Sequence, residues 1–249
     1  MKHIIQFSGG ICSFFAAKRV VEKYGKENVI LLFCDTLIED EDLYRFIEDA
    51  KKYLDCEFVR VCDGRTPFEV YKDVKFLGNS RVAHCTKLLK TRQAKMWLKE
   101  HYKEDECTLY VGIDWTEIHR CEAIKKNWAP YTIEFPMCQK PYLTKYDMQK
   151  ELEKTGIEVP RLYKMGFSHN NCGGFCCKAG QGHWANVLET MPEKFKEYEE
   201  KEQEIIKCIG KDVSMMKKIK NGKAETYTLK QLREDYEKDK SQIDLFDIG

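Results

Sequence analysis

The side chains most able to do chemistry stand in one short run, Asn170-Asn171-Cys172-Gly173-Gly174-Phe175-Cys176-Cys177-Lys178-Ala179-Gly180. Cys172 and Cys176 lie on either side of a Gly-Gly turn, whose bare N–H groups can hydrogen-bond to sulfur or to an anion. A Cys-x-x-x-Cys spacing suits zinc or an iron–sulfur cluster. Two thiolates do not complete such a site, so further ligands must come from elsewhere in the chain. Cys85, at the head of a helical pattern, is the first candidate, and Cys138, just after Pro136, is the second. Cys177 ranks below them, because adjacent residues usually point apart. His169 and His183 flank the run as weaker candidates. The competing reading is that these thiols are merely packed, although a glycine-rich loop offers little apolar burial to hold them.

A second run, Ser8-Gly9-Gly10-Ile11-Cys12-Ser13, joins an apolar strand to a helical pattern. Two glycines allow a tight turn with exposed N–H groups, and the helix N-terminus behind them adds positive potential. That geometry suits an anion, most obviously a nucleotide phosphate. It is not the loop of common ATPases, because no Gly-Lys-Ser/Thr follows; an ordinary turn is the bland alternative. Cys12 is either a thiol activated by the helix end or a small apolar residue facing the interior. A third group is Gly112-Ile113-Asp114 with Glu117 and Arg120. There Asp114 or Glu117 could hold Mg²⁺ and Arg120 could meet a phosphate, unless the three only pair with one another. The fourth is a helical pattern over 87–99 carrying Lys87, Lys90, Arg92 and Lys95: a solvated face, or a phosphate-contacting surface beside Cys85.

The elements that must position these groups alternate. Strands are expected over 3–7, 29–35, 57–61 and 109–114, with a short fifth over 133–137. Helices are expected after Ser13, from Glu39 to about Leu54, from Thr66, over 87–99, and from the Thr144 cap to Thr155. Val29-Ile30-Leu31-Leu32-Phe33 is continuously apolar, the pattern of a strand buried on both faces. Strand–helix alternation of this kind predicts an α/β doubly wound, mostly parallel sheet, which binds ligands at the carboxyl ends of its strands. Ser8-Gly9-Gly10 and Cys34-Asp35-Thr36 both fall there. An irregular Cys-rich segment over 161–182 and a helical C-terminal part follow. The latter is a long helix after Pro192, then a charged tail read as loop, short helix (229–238) and loose end. The organisation expected is a nucleotide-binding domain over 1–160 and a Cys-rich loop plus helical extension over 161–249.

With 249 residues, 43% hydrophobic and 33% charged, the chain can bury one sizeable core, and a net charge of +1 gives no global attraction to nucleic acid or membrane. It has no apolar run long enough to span a bilayer and no signal peptide, so the expected location is cytoplasmic, without membrane contact. Twelve cysteines in a reducing compartment point to metal or redox chemistry more than to disulfides.

As a set these motifs resemble a known family. Ser8-Gly9-Gly10-Ile11-Cys12-Ser13 is similar to the Ser-Gly-Gly-x-Asp-Ser loop of the PP-loop ATP pyrophosphatases, in the adenine nucleotide α-hydrolase-like superfamily. Phe33-Cys34-Asp35-Thr36, Cys85-Thr86-Lys87-Leu88-Leu89-Lys90 and Gly112-Ile113-Asp114 resemble elements of its phosphoadenosine phosphosulfate (PAPS) reductase-like branch. Asn171-Cys172-Gly173-Gly174-Phe175-Cys176 resembles a subgroup common in phages and mobile elements. The resemblance implies ATP and Mg²⁺ bound through Ser8, Gly9, Gly10, Ser13, Cys34, Asp35, Thr36, Gly112, Lys87 and Lys90, with Cys85, Asp114 and Arg120 catalytic. It further implies a 4Fe-4S cluster (alternatively Zn²⁺) on Cys85, Cys172 and Cys176, with Cys138 as a possible fourth ligand. The activity implied is ATP-dependent sulfur transfer: a nucleic-acid acceptor is adenylated and sulfur inserted. The partners implied are a cysteine desulfurase as donor and a second copy of the chain in a homodimer. Two other functions fit the same motifs, a PAPS or sulfonucleotide reductase and a non-catalytic nucleotide-binding protein with structural zinc. The sequence departs from the family at Cys12, where ATP-cleaving members carry aspartate, and it lacks the C-terminal cysteine motif of assimilatory PAPS reductases.

Overall fold

The computed structural model describes residues 1–246, and the side chains of 1–240. Its framework is a five-stranded parallel sheet of β1 (Lys2–Gln6), β2 (Val29–Asp35), β3 (Glu57–Cys62), β4 (Cys107–Val111) and β5 (Thr132–Glu134), in the order β3-β2-β1-β4-β5. Pairing is in register from Ile4 with Ile30 and Leu109, and from Leu31 with Phe58. Successive side chains of a strand point to opposite faces. Ile5, Leu31 and Phe33 therefore join one core with α1 (Ile11–Tyr24), α2 (Glu41–Leu54) and α6 (Lys145–Lys154). Ile4, Ile30, Leu32 and Leu109 join another with α4 (Arg92–His101) and α5 (Cys121–Trp128). Both faces are covered, which is why β2 has no polar residue before Asp35. The doubly wound α/β expectation holds.

Parallel strands need crossovers, and the direction of winding changes at β1, whose neighbours β2 and β4 lead to opposite edges. In open α/β sheets ligands bind at such a switch point, outside the carboxyl ends of the strands. Local sequence sets the helix ends around it. Asp40 caps α2, and Thr144 caps α6 in a box with Asp147.

A third core lies beside the sheet. Phe68, Tyr71 and Leu89 pack with Leu162, Phe175, Trp184, Phe195, Tyr198 and Leu229, so residues from both sides of position 160 build it. Its elements are α3 (Pro67–Asp73), α7 (Arg161–Lys164), α8 (Gln181–Thr190), α9 (Pro192–Ile209) and α10 (Leu229–Phe246), with a hairpin of β6 (Met216–Lys220) and β7 (Lys223–Tyr227). The hairpin corrects the expected loop. Asn221 and Gly222 both adopt positive φ, as a two-residue hairpin turn requires, and the Asn-Gly pair was the overlooked signal. Helix α8 was not foreseen, and α10 outruns the short helix expected over 229–238. The last three residues of the expected loose end, 247–249, lie outside the described residues. Among the described residues no helix is long and apolar enough to cross a membrane.

Candidate functional site

The loop between β1 and α1 is shaped by backbone. Gly9 adopts φ +72°, and a side chain there would run into Leu43. Ser13 turns back into the loop, its Oγ donating to the Gly10 carbonyl at 2.7 Å and accepting from the Ser8 N–H at 3.2 Å. The Ile11 N–H donates to the Tyr163 hydroxyl at 3.1 Å. Gly112, just past β4, is packed against this turn so closely that a Cβ would sit 2.5 Å from Ser13 Cα and 2.6 Å from its nitrogen. Glycine is needed there because backbone meets backbone.

Asp114 follows, buried, with one carboxylate oxygen accepting from the Thr116 N–H at 2.9 Å and from its hydroxyl. The Cys12 thiol faces its other oxygen at 3.8 Å. Burial, reinforced by the Asp114 charge, pushes Cys12 up to about 12, so the helix end does not make it a thiolate. Cys12 is a neutral packed thiol. Arg120 is exposed and pairs with Glu117. The two form the mutual ion pair that the sequence allowed as the alternative to a phosphate contact.

On the other side of β1, Asp35 is fully buried. It accepts from the Leu37 N–H at 2.8 Å and the Tyr44 hydroxyl at 3.0 Å, and pairs with Arg60 at 2.5 Å. Cys34 is half-buried, with its thiol toward the Lys90 carbonyl at 3.5 Å; burial pushes it up to about 11. The Thr36 hydroxyl donates to Glu39 at 2.8 Å. Glu39, itself buried, accepts the Cys172 N–H. It lies 4.0 Å from the Lys90 ammonium, which donates to Cys172 Sγ at 3.4 Å. Burial raises Glu39, and Lys90 opposes that rise. Burial alone would lower Lys90, but the Cys172 sulfur and Glu39 outweigh it and hold the ammonium charged.

These contacts fasten the cysteine run to the segment that follows β2. Cys172, Gly173 and Gly174 take three successive positive φ angles (60°, 56° and 84°). For Cys172 this is a strained conformation that its surroundings must enforce. Glu39 holds its N–H, and the Tyr198 hydroxyl donates to the Gly173 carbonyl at 2.9 Å. Two residues upstream, buried Asn170 donates its amide to the Gly9 carbonyl at 2.8 Å, leaving its Oδ1 without a protein partner. The β1–α1 loop and the cysteine run are therefore one assembly.

The run walls a cavity of about 120 Å³, into which Cys85, Cys172, Cys176 and Cys177 all contribute, with Lys90, His169 and His183. Cys177, ranked low on sequence, is buried in this wall beside Cys85. Cys176 is the exposed member of the adjacent pair. Tyr71 was missed altogether. Its hydroxyl donates to Cys85 Sγ at 3.1 Å. Cys85 lies at the start of a π-helical turn (Thr86–Thr91) that leads into α4, a local irregularity typical of functional positions. The neighbouring Cys177 thiol pulls the Cys85 thiol down to about 6, against burial and with help from Tyr71 and Lys90. Cys85 in turn, with burial, drives Cys177 far upward. Burial pushes Cys172 up to about 12.

Among the described residues no three His, Cys, Asp or Glu side chains are grouped to hold a metal ion. Cys172 instead faces an ammonium, and Cys85 accepts from Tyr71. Cys138, the expected fourth ligand, stands apart from the cavity with its thiol toward the carbonyls of Ile113 and Asp114 at 3.5 and 3.4 Å. The His183 ring nitrogen bonds to the Gly174 carbonyl at 2.7 Å. Lys87 and Lys90 part company: Lys90 enters the cavity wall, while exposed Lys87 lines an open groove of about 740 Å³ with Arg92, Lys95 and Lys99.

No family model matches the sequence, and no curated protein matches it. Among solved structures, the phosphoadenylyl-sulfate (PAPS) reductase of Candida auris, as a phosphate complex, aligns over 68% of this chain and 80% of that one, with 14% identity and a TM-score of 0.47. The NH3-dependent NAD synthetase of Campylobacter jejuni, as a nitrate complex, aligns over 84% of each chain, with 14% identity and a TM-score of 0.41. At these scores neither structure decides what this chain binds or does.

Proposed function

We propose that the chain is an ATP-dependent sulfur-transfer enzyme acting on a nucleic-acid acceptor, with Mg²⁺-ATP as substrate and sulfur carried as a persulfide on Cys85. One observation carries this reading: the loop suited to nucleotide phosphates and the cavity holding Cys85 are clamped together through Asn170–Gly9 and Glu39–Cys172. The Gly9–Ile11 loop and the start of α1 receive the phosphates. An acceptor oxygen attacks the α-phosphorus and releases its proton, the bond to pyrophosphate breaks, and an acceptor–O–AMP intermediate results. A persulfide donor such as a cysteine desulfurase converts Cys85–SH to Cys85–S–SH and is left as a thiol. The terminal sulfur then attacks the activated carbon and AMP departs. Cys177, losing its proton, attacks the Cys85 sulfur of the resulting mixed disulfide. The thiolated acceptor leaves, and a dithiol reductant reduces the Cys85–Cys177 disulfide.

A second reading, thiol reduction of a sulfonucleotide such as PAPS in the same cleft, is favoured by the proximity of Cys85 to Cys177. The test uses anaerobically purified protein with ATP, RNA or single-stranded DNA, and a persulfide donor. Sulfur incorporation that disappears in Cys85→Ser, while acceptor-dependent pyrophosphate release survives, is the expected result. Incorporation retained in Cys85→Ser sinks the proposal. Sulfite release from PAPS without ATP turnover installs the reductase. Stoichiometric iron or zinc that is lost in Cys172→Ala would return the metal expectation in place of the persulfide.

A further inference from the structure

Lys178 belongs to the wall of three cavities at once: the cysteine cavity, the groove along α4, and a second open groove of about 720 Å³ on the other side of the cysteine run. The first groove carries Lys87, Arg92, Lys95 and Lys99. The second is walled by Arg81, by Gly180 and Gln181 at the start of α8, and by Lys217 of the hairpin. Among the described residues neither groove has an Asp or Glu in its wall. Lys87, Arg92, Lys99, Lys178, Arg81 and Lys217 are all exposed and none enters an ion pair among the described residues. The chain as a whole is nearly neutral, at +1, so this is a local concentration of charge. Such a surface costs electrostatic self-repulsion and repays it by binding an anion.

From this juxtaposition we infer that the two grooves form one continuous basic track for single-stranded nucleic acid, with Lys178 at its middle and the cysteine cavity opening beneath it. The inference rests on the sulfur-transfer reading for the identity of the acceptor and extends it to how the acceptor lies. A strand enters along α4, crosses Lys178 and leaves over Arg81 and the β6–β7 hairpin, so phosphates on both flanks of one nucleotide are held. Cys177 and much of Cys85 are buried below the track, so only an unstacked base can approach them. A duplex keeps its bases inside, which is why the partner is a single strand. The hairpin then has a role that its place outside the sheet does not otherwise suggest: it holds the far side of the acceptor.

The test is fluorescence anisotropy with a labelled oligothymidylate, about 20 nucleotides long, across a salt series, without ATP. Wild type is expected to bind, with log K falling against log[salt] at about 0.7 per phosphate contact, and to prefer the strand over its duplex. Reversing the far side alone, R81E with K217E, is expected to weaken binding at least tenfold and to flatten the slope by about 1.4. Lys178→Ala, the milder variant, is expected to weaken it severalfold, and unchanged melting checks that each variant folds. Binding unchanged in R81E with K217E, or duplex bound as tightly as single strand, overturns the track. Its fate is separable from that of the activity. Oligonucleotide bound as expected by a protein that never cleaves ATP leaves the track and removes the reaction; ATP cleavage without oligonucleotide binding does the reverse.

Discussion

The β1–α1 loop and the cysteine cavity lie against each other but are built on different principles. The first is a backbone site. Its shape follows from Gly9, Gly10 and Ser13 within six consecutive residues, plus one close approach by Gly112. The second is a side-chain site, assembled from Tyr71, Cys85, Lys90 and Cys172–Cys177, which meet only because the third core brings α3, the π turn and the Cys-rich run together. Local sites are rigid and tolerate little change in any one residue. Assembled sites are tunable, because each contributor can be altered while the others stay.

The contrast breaks most sharply at Gly112. In Gly112→Ala the new methyl group would be forced into the backbone of Ser13, with no flexible side chain to give way. A stability loss of about 3 kcal/mol is expected, together with loss of the proposed nucleotide binding. Denaturant unfolding and nucleotide titration check both. A variant as stable as wild type would show that the loop is not the rigid partner.

The second test separates the regions by pH. Glu202 on α9 is buried in the third core, where its carboxylate accepts the Leu229 N–H at 2.6 Å and the Met215 N–H at 3.5 Å. Burial raises it from 4.5 to about 7, despite those two bonds. Below pH 4.5 it is protonated in both folded and unfolded states. Between 4.5 and 7 the folded state holds the extra proton, so stability falls as pH rises, by about 3 kcal/mol in all. Glu202→Gln should flatten the dependence of the denaturation midpoint between pH 5 and 8. Hydrogen exchange should show the loss concentrated in α9 and α10.

The smallest effect probes tunability itself. Tyr71→Phe removes the hydroxyl that donates to Cys85 and leaves Cys177 in place. The pH midpoint of Cys85 alkylation, expected at about 6 in wild type, should rise by about one unit. An unmoved midpoint would make Tyr71 a packing residue.

The same distinction explains what was legible in the sequence. The sheet, the Thr144 cap and the Ser8–Ser13 turn are specified by neighbours in sequence, so periodicity and residue type reveal them. Tyr71 was invisible because nothing near it in sequence marks it; its meaning comes from Cys85, fourteen residues away, and from the fold. Cys138 and Cys177 were ranked in the wrong order for a like reason. Spacing alone does not say which thiol faces Cys85 and which faces the carbonyls that follow β4. Cys12 shows a local rule overridden, since the helix end that should lower its pKa is outweighed by burial and by Asp114.

The sheet's two rims bear on how copies of the chain could meet. β5 spans only three residues and runs directly toward Pro136. β3, at the other rim, carries Glu57 and Arg60 and is nowhere fully covered. Short, charged or proline-stopped rims resist edge-to-edge pairing and fibril-like stacking. If this protein works as a homodimer, its subunits should therefore join through helical faces, leaving the strands of each sheet discontinuous with those of the other.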